Sequence, residues 1–250
     1  MKAIILAAGI GKRLGPTSDL KPKCLLSFGG ISLLHRYIAI LQYYNICEIC
    51  IITGYGSGMI EDALSNIPIN AQLIYNPQYQ QGSVISLWSA QPFLTSGEDI
   101  LLMDADVLYD RNIVGRLVNT SHQNCFLLDR DFEAGDEPVK ICISNGRLVE
   151  FRKNIDNKVQ FDLQGESVGF FRFSSAMAEN LAVQAQHYID SGRLDEPYEE
   201  VIRDLLLDKS DLFAYEDVTG LPWIEIDFPE DIDRATHDIL PRLSQPVVST

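Results

Sequence analysis

The chain has 250 residues, 46% of them hydrophobic, with 35 acidic against 20 basic side chains and a formal net charge of −15. That is enough apolar material for one sizeable core, and the acidic balance argues against nucleic acid and anionic membranes as partners. No apolar run reaches the ~18 residues that cross a bilayer, and the start, broken early by glycine and charge, does not read as a signal peptide, so the cytosol is the expected location.

Ala3 to Leu6 is an apolar run with the shape of a short buried strand. It breaks into Ala7-Ala8-Gly9-Ile10-Gly11, where small residues let backbone amides approach a ligand closely. Lys12, Arg13, Lys21 and Lys23 follow, four cations within twelve positions of an acidic chain. Pro22 fixes the backbone just ahead of the long arm of Lys23. A buried strand opening into a glycine turn and then into basic side chains describes a polyphosphate cradle; the rival reading is an ordinary solvated loop. The pattern is neither the Gly-x-Gly-x-x-Gly fingerprint nor a P-loop, because Arg13 and Leu14 stand where the P-loop needs other residues.

Leu25 to Phe28 is a short strand closed by Gly29-Gly30. Apolar residues at helical spacing (Leu33, Leu34, Tyr37, Ile38, Leu41) predict an amphipathic helix over 31–44. Glu48 to Thr53 is a second buried strand, a helix lies near 59–64, and a strand follows at 72–75. This alternation predicts a parallel sheet with helices on both faces. Cys47 and Cys50 have Cys-x-x-Cys spacing but flank a β-branched run, and no second ligand pair exists. With five cysteines in all, core packing in a reducing compartment is the reading, not zinc or disulfides.

Asn76 to Ser83 is a polar loop leading into a helix over 84–94. Loops at the carboxyl ends of such strands surround the ligand crevice, and amides and hydroxyls there suit the edge of a base. Ile100 to Met103 is a strand ending in Asp104-Ala105-Asp106, of which only one carboxylate need reach the crevice; a turn or capping role is the alternative. A divalent cation such as Mg²⁺ wants one or two carboxylates beside phosphate oxygens.

Asp110 caps a helix over 110–119, and Cys125 to Leu128 is another strand. The alternation then changes, because 139–152 reads as a hairpin with an Asn-Gly turn and 168–173 as a further strand. Residues 129–175 are therefore expected to form a small antiparallel arm on the acceptor side. Lys140 and Lys153 within it are candidates for a second phosphate, against the commoner role of surface lysines. A serine-capped helix spans 174–191. Asp195 to Glu200 opens the next helix, with acids suited to its positive end. Glu196 and Tyr198, with Trp223 or Trp88, are also candidates for an ammonium pocket. A strand over 212–218 precedes Trp223 to Asp227, which alternates as a strand and ends in Asp227 before the last helix. One domain over 1–240 with a loose tail over 241–250 is expected.

The segments LAAGIGKRLGP, KPKCLLSFGGISLL, MDADV at 103–107 and IEIDFPEDIDRA at 224–235 together resemble the nucleotidyltransferases that make activated sugars and alcohols. They are most similar to the small cytidylyltransferases acting on phosphocholine or phosphonates. The resemblance implies an α/β fold of the GT-A-like kind, Rossmann-like and mostly parallel, and transfer of CMP from CTP to a small phosphorylated or phosphonate acceptor with release of pyrophosphate. It implies a nucleotide site formed by Leu6, Ala7, Ala8, Gly9, Gly11 and Lys12, with Gly82 and Ser83 near the base. Asp106 and Asp227 are implied as Mg²⁺ ligands with Asp104 beside them, Lys23 as the cation bridging donor and acceptor, and Arg13 as a holder of the leaving phosphates. Lys140, Lys153, Glu196, Tyr198 and Trp223 are expected on the acceptor side. A sugar-1-phosphate nucleotidyltransferase and a non-catalytic nucleotide-binding module are the rivals. Neither the acceptor nor the oligomeric state is fixed by the sequence.

Overall fold

The apolar run at the start becomes β1 (Lys2–Ala7), the strand from which the sheet extends in both directions. The computed structural model describes residues 1–14, 21–65, 67–132, 135 and 137–244; part of the basic opening segment, residues 15–20, lies outside them. A small hairpin, β2 (Ser27–Phe28) with β3 (Ile31–Ser32), delivers the chain to α1 (Leu33–Tyr43), capped by the Ser32 hydroxyl accepting from the His35 amide. Next come β4 (Glu48–Thr53), α2 (Ser57–Leu64) and β5 (Asn70–Tyr75). The single helix expected over 84–94 is two, α3 (Val84–Ser89) and α4 (Gln91–Leu94). Pro92 cannot continue a helix but suits the first turn of a new one.

The chain continues through β6 (Ile100–Asp104), β7 (Val107–Tyr109), α5 (Arg111–Asn119) and β8 (Cys125–Asp129). It then runs through β9 (Lys140–Ser144), β10 (Arg147–Arg152) and β11 (Leu163–Phe173). The last elements are α6 (Ser175–Asp190), α7 (Tyr198–Asp208), β12 (Ala214–Asp217), β13 (Trp223–Glu225) and α8 (Pro229–Arg234).

The main sheet runs β10-β9-β11-β6-β1-β4-β5, with β8 paired to β11 and β12 to β8. β1 is parallel to β4 on one side and to β6 on the other, and β4 is parallel to β5. The chain therefore leaves β1 in one direction for β4 and β5, then returns to its other side with β6. Such a reversal opens a crevice beyond the carboxyl ends of the strands.

Strand alternation sorts the side chains onto two cores. Ala3, Ile5 and Ala7 face α1 and α5, packing with Leu33, Tyr37, Ile113 and Leu117. Ile4 and Ala8 face α3, α6 and α7, packing with Leu87, Leu181 and Ile202. Cys50 is buried in this second core, whereas Cys47 is exposed; both are free thiols.

The expected small antiparallel arm is present: β10, β9 and β11 pair antiparallel at one end of the main sheet, and the β9–β10 hairpin is turned by Asn145 and Gly146 at φ of 50° and 76°. β11 is long enough to serve three partners, pairing Leu163–Glu166 with β9, Phe170–Phe173 with β6, and Glu166, Ser167, Phe171 and Arg172 with β8. The expected strand over 223–227 is shortened to β13, which pairs antiparallel with β7 and not with the main sheet. The start of the expected loose tail is packed: Leu243 lies against the first core, and the Ser244 amide donates to Asp110 at 2.6 Å. Residues 245–250 lie outside the described residues.

Candidate active site

Beyond the ends of β1 and β6 lies a cleft of about 210 Å³, whose lining includes Leu6–Gly9, Lys23, Ser83, Asp104–Asp106, Tyr198, Glu199 and Glu225. Gly11 has a φ of 66°, and a Cβ there would stand 3.0 Å from Lys23 Cγ. Glycine therefore both permits the turn and lets the Lys23 arm lie along it.

Two remote carboxylates meet at that arm. Lys23 Nζ donates to Asp106 Oδ2 at 2.9 Å and to Asp227 Oδ1 at 2.6 Å. The β7–β13 ribbon creates the meeting. Glu225 pairs with Val107, and the Ile226 amide donates to the Asp106 carbonyl at 2.9 Å, so the chain from Glu225 to Asp227 runs back beside Asp106. Asp231 at the start of α8 fixes the end of that run by accepting from the amides of Asp227 (3.0 Å) and Phe228 (2.7 Å). The outer oxygen of Asp227 receives Arg13 at 3.0 Å, and Arg13 also reaches Glu137 at 2.8 Å.

Charge is balanced at this corner. Burial works against the Lys23 ammonium, but Asp106 and Asp227 outweigh it and raise its proton affinity above the ordinary lysine value. Burial alone would raise Asp227, yet Lys23, followed by Arg13 and Lys153, holds its carboxyl below the usual range. One ligand oxygen from each of Asp106, Glu225 and Asp227 falls within 4.8 Å of the others. Three hard oxygen donors suit a divalent cation, and the Lys23 ammonium already bridges two of them. Glu225 was not singled out from the sequence, although strand alternation places it on the same side as Asp227, two positions on. Desolvation by the cleft walls, then Asp106 and Asp227, push its carboxyl up; the residue is exposed by surface area, so solvent moderates the effect.

Asp104 and Asp106 both line the cleft. The expectation that only one need reach it does not hold: β6 ends at Asp104, and the bend at Ala105–Asp106 turns the second carboxylate into the cleft as well. Asp104 takes the other wall, accepting the Tyr198 hydroxyl at 2.8 Å. Burial, then the charges of Glu199, Asp106 and Glu225, raises its carboxyl above the usual range.

The remaining expected residues divide. Ser83 lines the cleft, its hydroxyl accepting from the Tyr198 amide at 2.9 Å. Gly82 has a packing reason: its amide donates to the Leu194 carbonyl at 2.9 Å, and a Cβ would stand 2.3 Å from the Glu196 carbonyl. Lys12 is exposed. Lys153 donates to Glu137 at 3.4 Å and lines a narrow extension of the cleft. Lys140 is turned inward onto the carbonyls of Gly135 and Lys153, both at 2.6 Å, and braces the arm.

The expected ammonium pocket does not assemble as drawn. Trp223 donates to Asp129, Trp88 donates to Gln186, and Glu196 sits outward against Arg193. Tyr198 does reach the cleft, together with its neighbour Glu199, which the sequence did not single out. Helix geometry explains the exchange. At the mouth of α7, Glu196 precedes the helix, whereas Tyr198 and Glu199 are its first two residues and both line the cleft.

The family model described as a MobA-like NTP transferase domain matches residues 3–162. A choline-phosphate cytidylyltransferase of Haemophilus influenzae is 35% identical over 168 residues, 67% of this chain and 68% of that protein. A CTP:phosphoglutamine cytidylyltransferase of Campylobacter jejuni is 23% identical over 251 residues, covering 93% of this chain and 98% of that one. Among solved structures, the inositol-1-phosphate CTP transferase of T. maritima superposes with a TM-score of 0.80 at 19% identity, covering 99% and 98% of the two chains.

Proposed function

The chain belongs to the MobA-like NTP transferase domain family, and on that premise we propose that it is a cytidylyltransferase, moving CMP from CTP to a small phosphorylated or phosphonate acceptor and releasing pyrophosphate. The observation that carries this reading is the convergence of Asp106 and Asp227 on one cation beside the glycine turn. The activities of the cytidylyltransferase relatives support CTP as the donor.

The acceptor's phosphate or phosphonate oxygen is already an anion at neutral pH, so attack on the α-phosphorus needs no general base. The obstacle is bringing two anions together. Asp106 and Asp227, with Glu225 beside them, would hold Mg²⁺, which supplies charge neutralisation and orientation at the α-phosphate. Lys23 then leaves its carboxylate partners for phosphate oxygens of donor and acceptor, and Arg13 with Lys12 holds the leaving phosphates against the Gly9–Gly11 turn. Lys23 and Arg13 already lie against these carboxylates in the free protein. Catalysis on this reading is positioning plus charge.

Pyrophosphate release tests it. CTP, UTP, GTP and ATP are each offered with phosphocholine, 2-aminoethylphosphonate and sugar 1-phosphates. Release confined to CTP with a small phospho-acceptor is expected. Release with a sugar phosphate would make the chain a sugar-1-phosphate nucleotidyltransferase, and no release with any pair would reduce it to a binding module.

A further inference from the structure

We propose that the acceptor carries an ammonium group bearing N–H bonds, a primary amine on a short phosphate or phosphonate, and that Glu199 is the residue that receives it. This deepens, and rests on, the reading of the cleft as a transferase site. The cleft extends past the carboxylate corner into a narrow cavity lined by Asp104, Phe151, Lys153, Phe171, Tyr198 and Glu199. Among the described residues the Glu199 Oε2 atom is buried there with no hydrogen-bond partner.

The neighbouring acid shows that this is not simply how α7 begins. Glu200 is held by Arg152 through two hydrogen bonds of 2.8 and 3.1 Å, and Glu150, on the facing strand, is held by Arg203 at 2.6 and 2.8 Å. Helix α7 thus pairs its structural acid fully and leaves Glu199 turned into the cavity. A buried carboxylate oxygen without a donor is costly, and a ligand that brings the donor recovers the cost.

The type of cation follows from what the cavity offers. A quaternary ammonium has no N–H, would leave Glu199 Oε2 unsatisfied, and needs open aromatic faces in compensation. The rings here are engaged with one another. Phe171 packs edge-to-face on Phe126, Phe151 and Tyr198 and stacks on Phe173, while Phe151 also meets Phe126. The Tyr198 hydroxyl is spent on Asp104. Carboxylate oxygens, not ring faces, are therefore what the cavity presents to a cation. Lys153, which also lines the cavity and donates to Glu137 at 3.4 Å, supplies the opposite sign for the phosphate or phosphonate end, so the cavity offers both charges that a short zwitterion needs.

The test is a methylation series. Binding of 2-aminoethylphosphonate and its N-methyl, N,N-dimethyl and N,N,N-trimethyl derivatives to the full chain is measured by calorimetry, with Mg²⁺ and α,β-methylene-CTP present. Affinity should fall along the series, the primary amine binding at least tenfold more tightly than the trimethyl compound. Glu199→Gln should weaken the primary amine about tenfold, change the trimethyl compound less than twofold, and leave nucleotide binding intact. Equal affinity across the series in the wild type overturns the proposal without reference to any variant. So does a failure of every member to bind, or a Glu199→Gln variant that keeps the wild-type preference. Pyrophosphate release in parallel separates the two claims. Selective amine binding without turnover keeps this assignment and loses the transferase reading; turnover indifferent to methylation does the reverse.

Discussion

At the glycine turn, Lys23 and Arg13 neutralise Asp106 and Asp227, whereas on the α7 side of the same cleft Glu199 keeps a buried carboxylate oxygen with no donor among the described residues. The first corner is finished in the absence of ligands, and its cations must be redistributed before phosphates can use them. The second is unfinished, and on the proposed reading the acceptor's ammonium supplies the donor it lacks. A site that handles two substrates can hold the more highly charged one by exchange and the less charged one by completion. In the first case the protein's own side chains take the ligand's place, and in the second the ligand supplies what the fold withheld.

Five measurements break or sharpen that contrast. The largest effect is expected from Asp106→Asn and Asp227→Asn, each lowering turnover on the order of 10²- to 10³-fold. Chelation of the metal should mimic them, and a variant whose Mg²⁺ dependence matches wild type is not missing a ligand. Lys23→Ala should lose about 10²-fold in turnover while remaining folded; near-normal turnover would reject its role.

Lys23→Met probes the exchange itself. Without the ammonium, Asp106 and Asp227 repel each other, so melting temperature should fall in metal-free buffer and recover with Mg²⁺. Metal titrated in without nucleotide should bind more tightly to the variant than to wild type, and equal affinity would mean that Lys23 does not compete for the position.

The unfinished corner has a pH signature. Burial raises the Glu199 carboxyl from 4.5 to about 6, with Glu200 and Asp106 adding to the rise and its own backbone amide and Lys153 opposing it. The folded state therefore binds more protons than the unfolded state between these values, and stability falls as pH rises from 4.5 through 6. Glu199→Gln lacks this loss, so its stability relative to wild type should grow by roughly 2 kcal/mol across that window. Parallel denaturation curves at pH 4.5 and 7 would contradict it. The smallest effect belongs to Glu196→Ala. Its side chain is 41% exposed against Arg193, so stability should move by less than about 0.5 kcal/mol and acceptor affinity not at all.

Much of this molecule is legible along the chain because the signals are local. Apolar runs ended by glycine or aspartate mark β1 and β6, the serine and aspartate caps of α5 and α6 lie where their side chains predict, and the Asn-Gly turn sets the arm's hairpin. The glycine turn and two strand-end aspartates are visible from residue type and position, but the assignment of Asp106 and Asp227 to one metal comes from the family resemblance. Their partners are not visible in that way. Residue type does not separate Glu225 from Asp227 or Glu199 from Glu196, because choosing among neighbouring acids requires knowing how β13 and α7 sit against the cleft.

The sequence by itself determined the strands, the helices, the turn beside Lys23 and the kinds of charge available, since backbone propensity and hydrophobic period act over a few residues. Only the tertiary structure decided that β13 would leave the main sheet to pair with β7, bringing Asp227 to Asp106 from more than a hundred positions away. It alone decided that Lys23 would lie between them and that one oxygen of Glu199 would have no donor among the described residues. Charges compensate one another through space, and which charges are neighbours is settled by packing, on which the order of residues along the chain is silent.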